Sequence, residues 1–175
     1  EYGKKQCTAE GATTVYYGFV ATGYYTHEGS TPDALCVAAD AFAKRERSLS
    51  NRTTNNDAAR LYPVKSQIDG YGAGFARDIH SHVIPCASCF VPDRSAYVNL
   101  GSAKCPEGHT VEYDGFFMGG HYTHKRVEGI CLNAEAVPYG ETPTAGAVTY
   151  VYPSEMQVRA NTAASATNYS GKEQF

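Results

Sequence analysis

Hydrophobic and polar positions alternate along several stretches of this chain, and they keep a helical period in only one. Thr13 to Ala21, dense in Thr, Val, Tyr and Phe, reads as a strand interrupted at Gly18, where a bulge or a close backbone approach is expected. From Thr31 the spacing changes. Thr31-Pro32-Asp33 is a helix start, and Leu35, Ala38 and Phe42 recur at helical intervals ahead of Lys44-Arg45-Glu46-Arg47, so the pattern predicts a short helix. Ser48 to Arg60 has no period and reads as an exposed loop. Asp69 to Gly74 places glycines at alternate positions; with no strand before it and no helix after it, this is a turn and not a phosphate cradle. Ile79 to Val91 alternates, with Pro85 marking an edge or a strand start. Ser95 to Leu100 reads as a short strand, Cys105-Pro106-Glu107-Gly108 as a turn, and Ala145 to Val158 as the clearest late strand. Beyond Arg159 the composition falls to Asn, Thr, Ala and Ser, a polar tail over 159–175.

One stretch occurs twice. Gly18-Phe19-Val20-Ala21-Thr22-Gly23-Tyr24-Tyr25-Thr26-His27 aligns without a gap on Gly115-Phe116-Phe117-Met118-Gly119-Gly120-His121-Tyr122-Thr123-His124. Each copy has a cysteine upstream, Cys7 or Cys105, and one downstream in a Cys-aliphatic pair, Cys36-Val37 or Cys131-Leu132. The chain therefore reads as a duplicated unit. If so, Cys36-Val37 corresponds to Cys131-Leu132, whose surroundings carry no helical pattern, and this argues against the helix. The expected fold is mainly β: two duplicated, disulfide-bonded half-domains, about 5–92 and 93–158, packed as one compact pseudo-twofold domain with long loops and little helix.

Composition agrees, since 14 Tyr, 17 Gly and no Trp with only 19% charged residues favour a β-rich, loop-rich body. A net charge of −3 lacks the positive field that holds a phosphate backbone, so nucleic acid is not an expected partner. No apolar run approaches the roughly 20 residues that span a bilayer, so no membrane insertion is expected. Glu1-Tyr2-Gly3-Lys4-Lys5 lacks the apolar centre of a signal peptide and is expected to open a mature product. Six cysteines and the sequons at Asn51 and Asn168 point to an oxidising, extracellular setting, and hence to a secreted glycoprotein.

Two constellations carry chemistry. His80 and His82, alternate residues of an expected strand, would share a face and form the start of a metal site, with zinc the expected ion; hydrogen-bonded structural histidines are the alternative. The repeated Tyr-Thr-His segments bring Tyr25, His27, His121, Tyr122, His124 and Lys125 forward as candidate carbohydrate contacts. Tyrosine rings offer apolar faces to sugar C–H groups, while His, Lys125 and Arg126 offer donors to hydroxyls. Packing of one half on the other is the competing account of the same residues. Two copies would supply two sites per chain. Tyr24 and His121 differ at equivalent positions, so the copies are not expected to be equal. No nucleophile elbow, zinc-protease helix or Walker motif is present; Glu112 and Asp114 read as solvated strand charges, and no enzymatic activity is expected.

Val83-Ile84-Pro85-Cys86-Ala87-Ser88-Cys89, Cys105-Pro106-Glu107-Gly108 and Gly120-His121-Tyr122-Thr123-His124, taken together over about residues 5–158, resemble the duplicated non-collagenous C-terminal domain of short-chain, spongin-type collagens and the related sponge lectins. The resemblance implies a secreted, oligomeric, non-enzymatic agglutinin that recognises cell-surface or extracellular glycans as a homo-oligomer. Its alternative is an extracellular-matrix structural or trimerisation domain. There is no Gly-X-Y tract, which favours a free-standing module. The resemblance also implies a second Cys-x-x-Cys near the end of the second half, where Ala160 to Phe175 stand instead. Of the fifteen pairings that six cysteines allow, pairing within each half leaves no cysteine over: Cys7–Cys36, Cys86–Cys89 and Cys105–Cys131.

Overall fold

The computed structural model describes residues 1–41, 59–69, 74–102, 104–140 and 147–155. These hold seven strands: β1 (Thr13–Thr22), β2 (Leu35–Ala38), β3 (Tyr62–Ser66), β4 (Pro85–Phe90), β5 (Gly115–Gly119), β6 (Ile130–Asn133) and β7 (Thr149–Pro153). They form a curled mixed sheet in the order β2-β1-β3-β7-β5-β6, with β4 on β1. Only β3 and β7 pair in parallel. The described residues contain no helix, and so none long and apolar enough to cross a membrane.

The helix expected from Thr31 is strand β2. Thr31 and Asp33 close a local turn, with their side chains 2.8 Å apart, and Cys36 then pairs with Val20 of β1. Helix propensities differ by only about 0.7 kcal/mol per residue, which ladder bonds beside a buried strand outweigh. Ser95 to Leu100 is not a strand either, for Tyr97, Val98 and Leu100 stand largely in solvent without a ladder partner among the described residues. Within Ile79 to Val91 only β4 is regular; Ser81 has φ 59°, which bends His80-Ser81-His82 into a turn. Phe42, Asn51, Asn168 and the 159–175 tail lie outside the described residues.

Gly18 and Phe19 are paired on both edges, with Ala38 and Val37 of β2 and with Cys86 and Pro85 of β4. In a flat sheet, strands two apart lie about 10 Å from each other. Here the Cα atoms of Cys36 and Cys86 are 5.7 Å apart and a disulfide joins them. The sheet bends hard at Gly18, where a Cβ would overlap the Val37 carbonyl oxygen. The bulge falls earlier in β1, where the register with β4 slips between Thr14 and Tyr16.

β5 and β6 keep the same register as β1 and β2. Gly115 faces Asn133 and Phe117 faces Cys131, as Gly18 faces Ala38 and Val20 faces Cys36. A Cβ on Gly115 would overlap the Leu132 carbonyl oxygen. The Tyr16 hydroxyl donates to the Cys36 carbonyl at 3.1 Å and the Tyr113 hydroxyl to the Cys131 carbonyl at 3.0 Å.

The cysteines pair differently from expectation. The bridges are Cys7–Cys89 and Cys36–Cys86, while Cys105 and Cys131 are free thiols. Cys86 and Cys89, three apart on β4, project to opposite faces and cannot meet each other. Cys7 is held beside the other end of β4 by its N–H bond to Thr14, which faces Cys89. The expected Cys7–Cys36 and Cys105–Cys131 bridges are therefore absent. Burial, and then the Asp114 charge, pushes the Cys131 thiol up, so it is protonated near neutral pH.

Val20, Val64, Met118, Leu132 and Val151, one from each of β1, β3, β5, β6 and β7, are fully buried in one core. Tyr2 closes the curl, laddering to Cys86 of β4 on one side and Leu132 of β6 on the other. Buried hydroxyls are satisfied: Thr149 donates to the Gly23 carbonyl at 2.9 Å and Thr22 to the Pro32 carbonyl at 3.1 Å.

Candidate functional site

The two Tyr-Thr-His segments are turns that follow β1 and β5. Each is closed by one backbone bond, His27 N–H to the Tyr24 carbonyl at 3.0 Å and His124 N–H to the His121 carbonyl at 2.8 Å. Because β3 and β7 lie side by side between β1 and β5, the turns come together at one end of the sheet. The Lys125 N–H donates to the Tyr25 carbonyl at 2.8 Å, and the Lys125 ammonium meets the Glu28 carboxylate at 3.1 Å.

Around each turn the same four ring contacts recur. In the first, Tyr24 lies 4.5 Å from Tyr25, 4.9 Å from His27 and 5.0 Å from Tyr62, with His27 5.9 Å from Tyr62. In the second, His121 lies 4.5 Å from Tyr122, 5.2 Å from His124 and 5.1 Å from Tyr152, with His124 5.9 Å from Tyr152. A further contact joins the two sets, for Tyr25 stacks 4.5 Å from His124 and 5.7 Å from Tyr150. The result is one continuous aromatic belt. Tyr25, His121 and His124 are half-buried in it, His27 and Lys125 are exposed, and Tyr122 is 91% exposed. The competing packing account therefore holds for Tyr25, whose ring is engaged from several sides, and fails for Tyr122.

His124 is the joint of the belt. Its Nδ1 is out of contact with water and has no hydrogen-bond partner. An imidazolium carries an N–H on both nitrogens, so one of them would lack an acceptor. Nδ1 is unpaired in the neutral ring as well, but keeping a charged ring away from water costs more than keeping a neutral one there. His124 therefore favours the neutral form; burial, and then the neighbouring His121, lowers its affinity for a proton. His121 Nδ1 lies 2.8 Å from the Thr123 hydroxyl, which fixes its ring.

The histidines proposed for metal are elsewhere and differently employed. His80 Nδ1 accepts the Ile68 and Asp69 backbone N–H groups at 3.3 and 3.0 Å, and His82 Nδ1 lies 2.8 Å from the His80 carbonyl. The turn at Ser81 removes the shared strand face on which the metal reading rested. The described residues hold no cluster of three or more metal-ligating side chains.

Sequence reasoning missed Tyr62, Tyr150, Tyr152 and Glu28. A signal existed for two of them: Leu61-Tyr62-Pro63 and Val151-Tyr152-Pro153 are a second, shorter repeat, and Pro63 and Pro153 face Ala21 and Met118, which are equivalent in the longer one. A separate cleft of about 350 Å³ opens between the disulfides, Tyr2, Tyr16 and Tyr113. Its polar groups are spent within the chain, for the hydroxyls of Tyr2, Tyr16 and Tyr113 all donate to backbone carbonyls and Glu112 pairs with Arg94 at 3.2 Å. Burial, and then Cys131, pushes the Tyr113 phenol up. The belt, with an uncovered ring and exposed donors, is the better recognition surface. A scan of protein-family models, a search of curated proteins and a search of solved structures each returned no match to this chain.

Proposed function

We propose that this chain is a secreted, non-enzymatic carbohydrate-binding protein of the lectin type, built from two copies of one β module and working as a homo-oligomer. The observation that carries it is Tyr122, a ring 91% exposed beside His121 in a segment that runs on into Lys125 and Arg126. Leaving a large aromatic face in water is unfavourable, and a sugar ring covers such a face with its C–H groups while its hydroxyls take up the surrounding donors. The likeness of the Gly-His-Tyr-Thr-His and Val-Ile-Pro-Cys-Ala-Ser-Cys segments to sponge lectins supports the same reading. So do two disulfides in a small β domain for an extracellular setting. The identical registers of β1–β2 and β5–β6, and the ring contacts repeated around both turns, support the duplication.

The first turn has given its tyrosine to the seam, so the reading is one site per chain in place of two. Avidity must then come from several chains in one closed assembly. Red-cell agglutination inhibited by a panel of simple sugars, with and without chelator, tests this. Sugar-inhibitable agglutination that survives chelator and is lost in Tyr122→Ala is the expected result; a Tyr122→Ala protein that agglutinates as well as the parent removes this site.

One observation favours a second reading, the matrix-assembly domain. Cys105 and Cys131 are unpaired although their first-half counterparts Cys7 and Cys36 are both bridged. A module that joins other chains covalently would keep such thiols. Disulfide-linked association with collagenous chains, abolished in Cys105→Ser/Cys131→Ser, together with no binding on a glycan array, would decide for it.

A further inference from the structure

The belt is held together at its centre by a titratable ring, and that placement has a consequence for the site. Tyr25 comes from the turn after β1, Tyr152 from β7, and His121 and Tyr122 from the turn that His124 itself closes. His124 touches three of these rings, and the fourth, Tyr122, stacks on His121 at 4.5 Å. We propose that His124 is a proton-operated clasp: a proton added to it separates it from Tyr25 and Tyr152, lets the 121–124 turn move, and releases a ligand held beside Tyr122. The part concerning ligand rests on the carbohydrate reading; the clasp itself does not.

The geometry gives the direction. Nδ1 of His124 faces no acceptor, so the protonated ring gains by turning toward water, and turning breaks the stack on Tyr25. The groups around it do not offset this. On its own turn stand His121, 5.2 Å away, and Lys125, both unable to act as anions. Tyr25 and His27 on the facing turn, and Tyr150 and Tyr152 on β7, present rings. Glu28, next in sequence to His27, is engaged with the Lys125 ammonium at 3.1 Å. The lowered proton affinity of His124, due to burial first and His121 second, agrees with a ring kept neutral by its surroundings. Histidine is the side chain whose charge changes in this pH range, so the clasp would open on mild acidification.

Near-ultraviolet circular dichroism reads the packed tyrosines directly and needs no ligand. From about pH 8 to about pH 5, the parent protein is expected to show a reversible change below the ordinary histidine value of 6.5, with the far-ultraviolet spectrum unchanged. His124→Phe keeps a ring in the stack but cannot titrate, and should show no change; His124→Gln serves where the phenylalanine does not fold. A flat parent titration, or the same transition in a folded His124 variant, overturns the clasp. Glycan binding measured alongside should fall in the parent over that range, while the variants keep a constant ratio. Glycan binding that stays constant while the circular dichroism changes overturns the release step. A spectral transition in a protein that binds no glycan at any pH upholds the clasp and removes the carbohydrate reading.

Discussion

The β1–β2 and β5–β6 strand pairs share a register, a glycine that admits the neighbouring carbonyl and a tyrosine that caps the cysteine carbonyl, yet only the first is locked. β1 carries β4 on its other edge, and Cys36–Cys86 and Cys7–Cys89 tie that edge down. β5 has β7 against Met118 and Gly119, and no strand of the described residues pairs with Gly115 to Phe117 on that side. The curl of the first pair is therefore held covalently. That of the second depends on packing, on Tyr2 against Leu132 and on Met118 and Leu132 in the core.

The sharpest way to break this comparison is to remove the covalent lock. Cys36→Ala/Cys86→Ala opens a link between residues 50 apart in sequence, and loop-closure entropy puts its worth at about 4 kcal/mol, within a usual range of about 2–5. Urea unfolding should show a loss of that size. Cys131→Ala, at the equivalent position without a bridge, should cost about 1 kcal/mol, the burial of a half-exposed sulfur. Equal losses for the two would mean that the second pair has a bridge of its own.

Next in size are the two glycines. Gly18→Ala and Gly115→Ala each drive a methyl group into a carbonyl oxygen, of Val37 and of Leu132. Overpacking of this kind costs about 1–3 kcal/mol. With its edges tied, β1 has less room to relax, so Gly18→Ala should lie at the upper end and Gly115→Ala at the lower. Thermal unfolding in the reverse order would show that the second bend is the stiffer one.

These glycines also show how far the sequence was legible. The sequence marked Gly18 as a bulge or a close backbone approach, and the repeat sets Gly115 at the equivalent position, because a residue that must admit a carbonyl cannot carry a side chain and leaves a mark at a fixed place. It could not predict the disulfides, since the Cys36–Cys86 distance is set by how sharply the sheet curls, a property of three strands together. β3 went unrecognised because it is short, contains Pro63 and owes its place to β7, more than 80 residues away and aligned by hydrogen bonds that no local pattern encodes. The helix at Leu35 failed for a related reason. Its spacing was real, but the long-range ladder to β1 decided the outcome. At the site, the sequence named Tyr25 and Tyr122 alike, and only the asymmetric seam tells them apart.

That difference sharpens into a third prediction. Tyr25 meets the rings of Tyr24, His124 and Tyr150, whereas among the described residues Tyr122 meets only that of His121. Tyr25→Ala should lower stability by about 2 kcal/mol, from lost ring burial and ring pairs, and should weaken glycan binding only through the seam. Tyr122→Ala should change stability by less than about 0.5 kcal/mol, as surface substitutions do, while losing most of the binding. A Tyr122→Ala protein that unfolds as easily as Tyr25→Ala would return Tyr122 to a packing role.

The smallest effect concerns His124 and the pH dependence of stability. Its proton affinity is lowered in the fold, by burial and then by His121, so the unfolded chain binds the proton more readily than the folded one. The sign follows: the contribution is fully present above the ordinary value of 6.5 and is lost progressively as pH falls below it, until the lowered folded value is passed. Because the ring is half-exposed, solvent screening keeps the loss to about a few tenths of a kcal/mol. His124→Phe should flatten that slope between about pH 7 and about pH 5. An unchanged slope in His124→Phe would place the acid sensitivity outside the seam, and the two turns would then differ in packing alone.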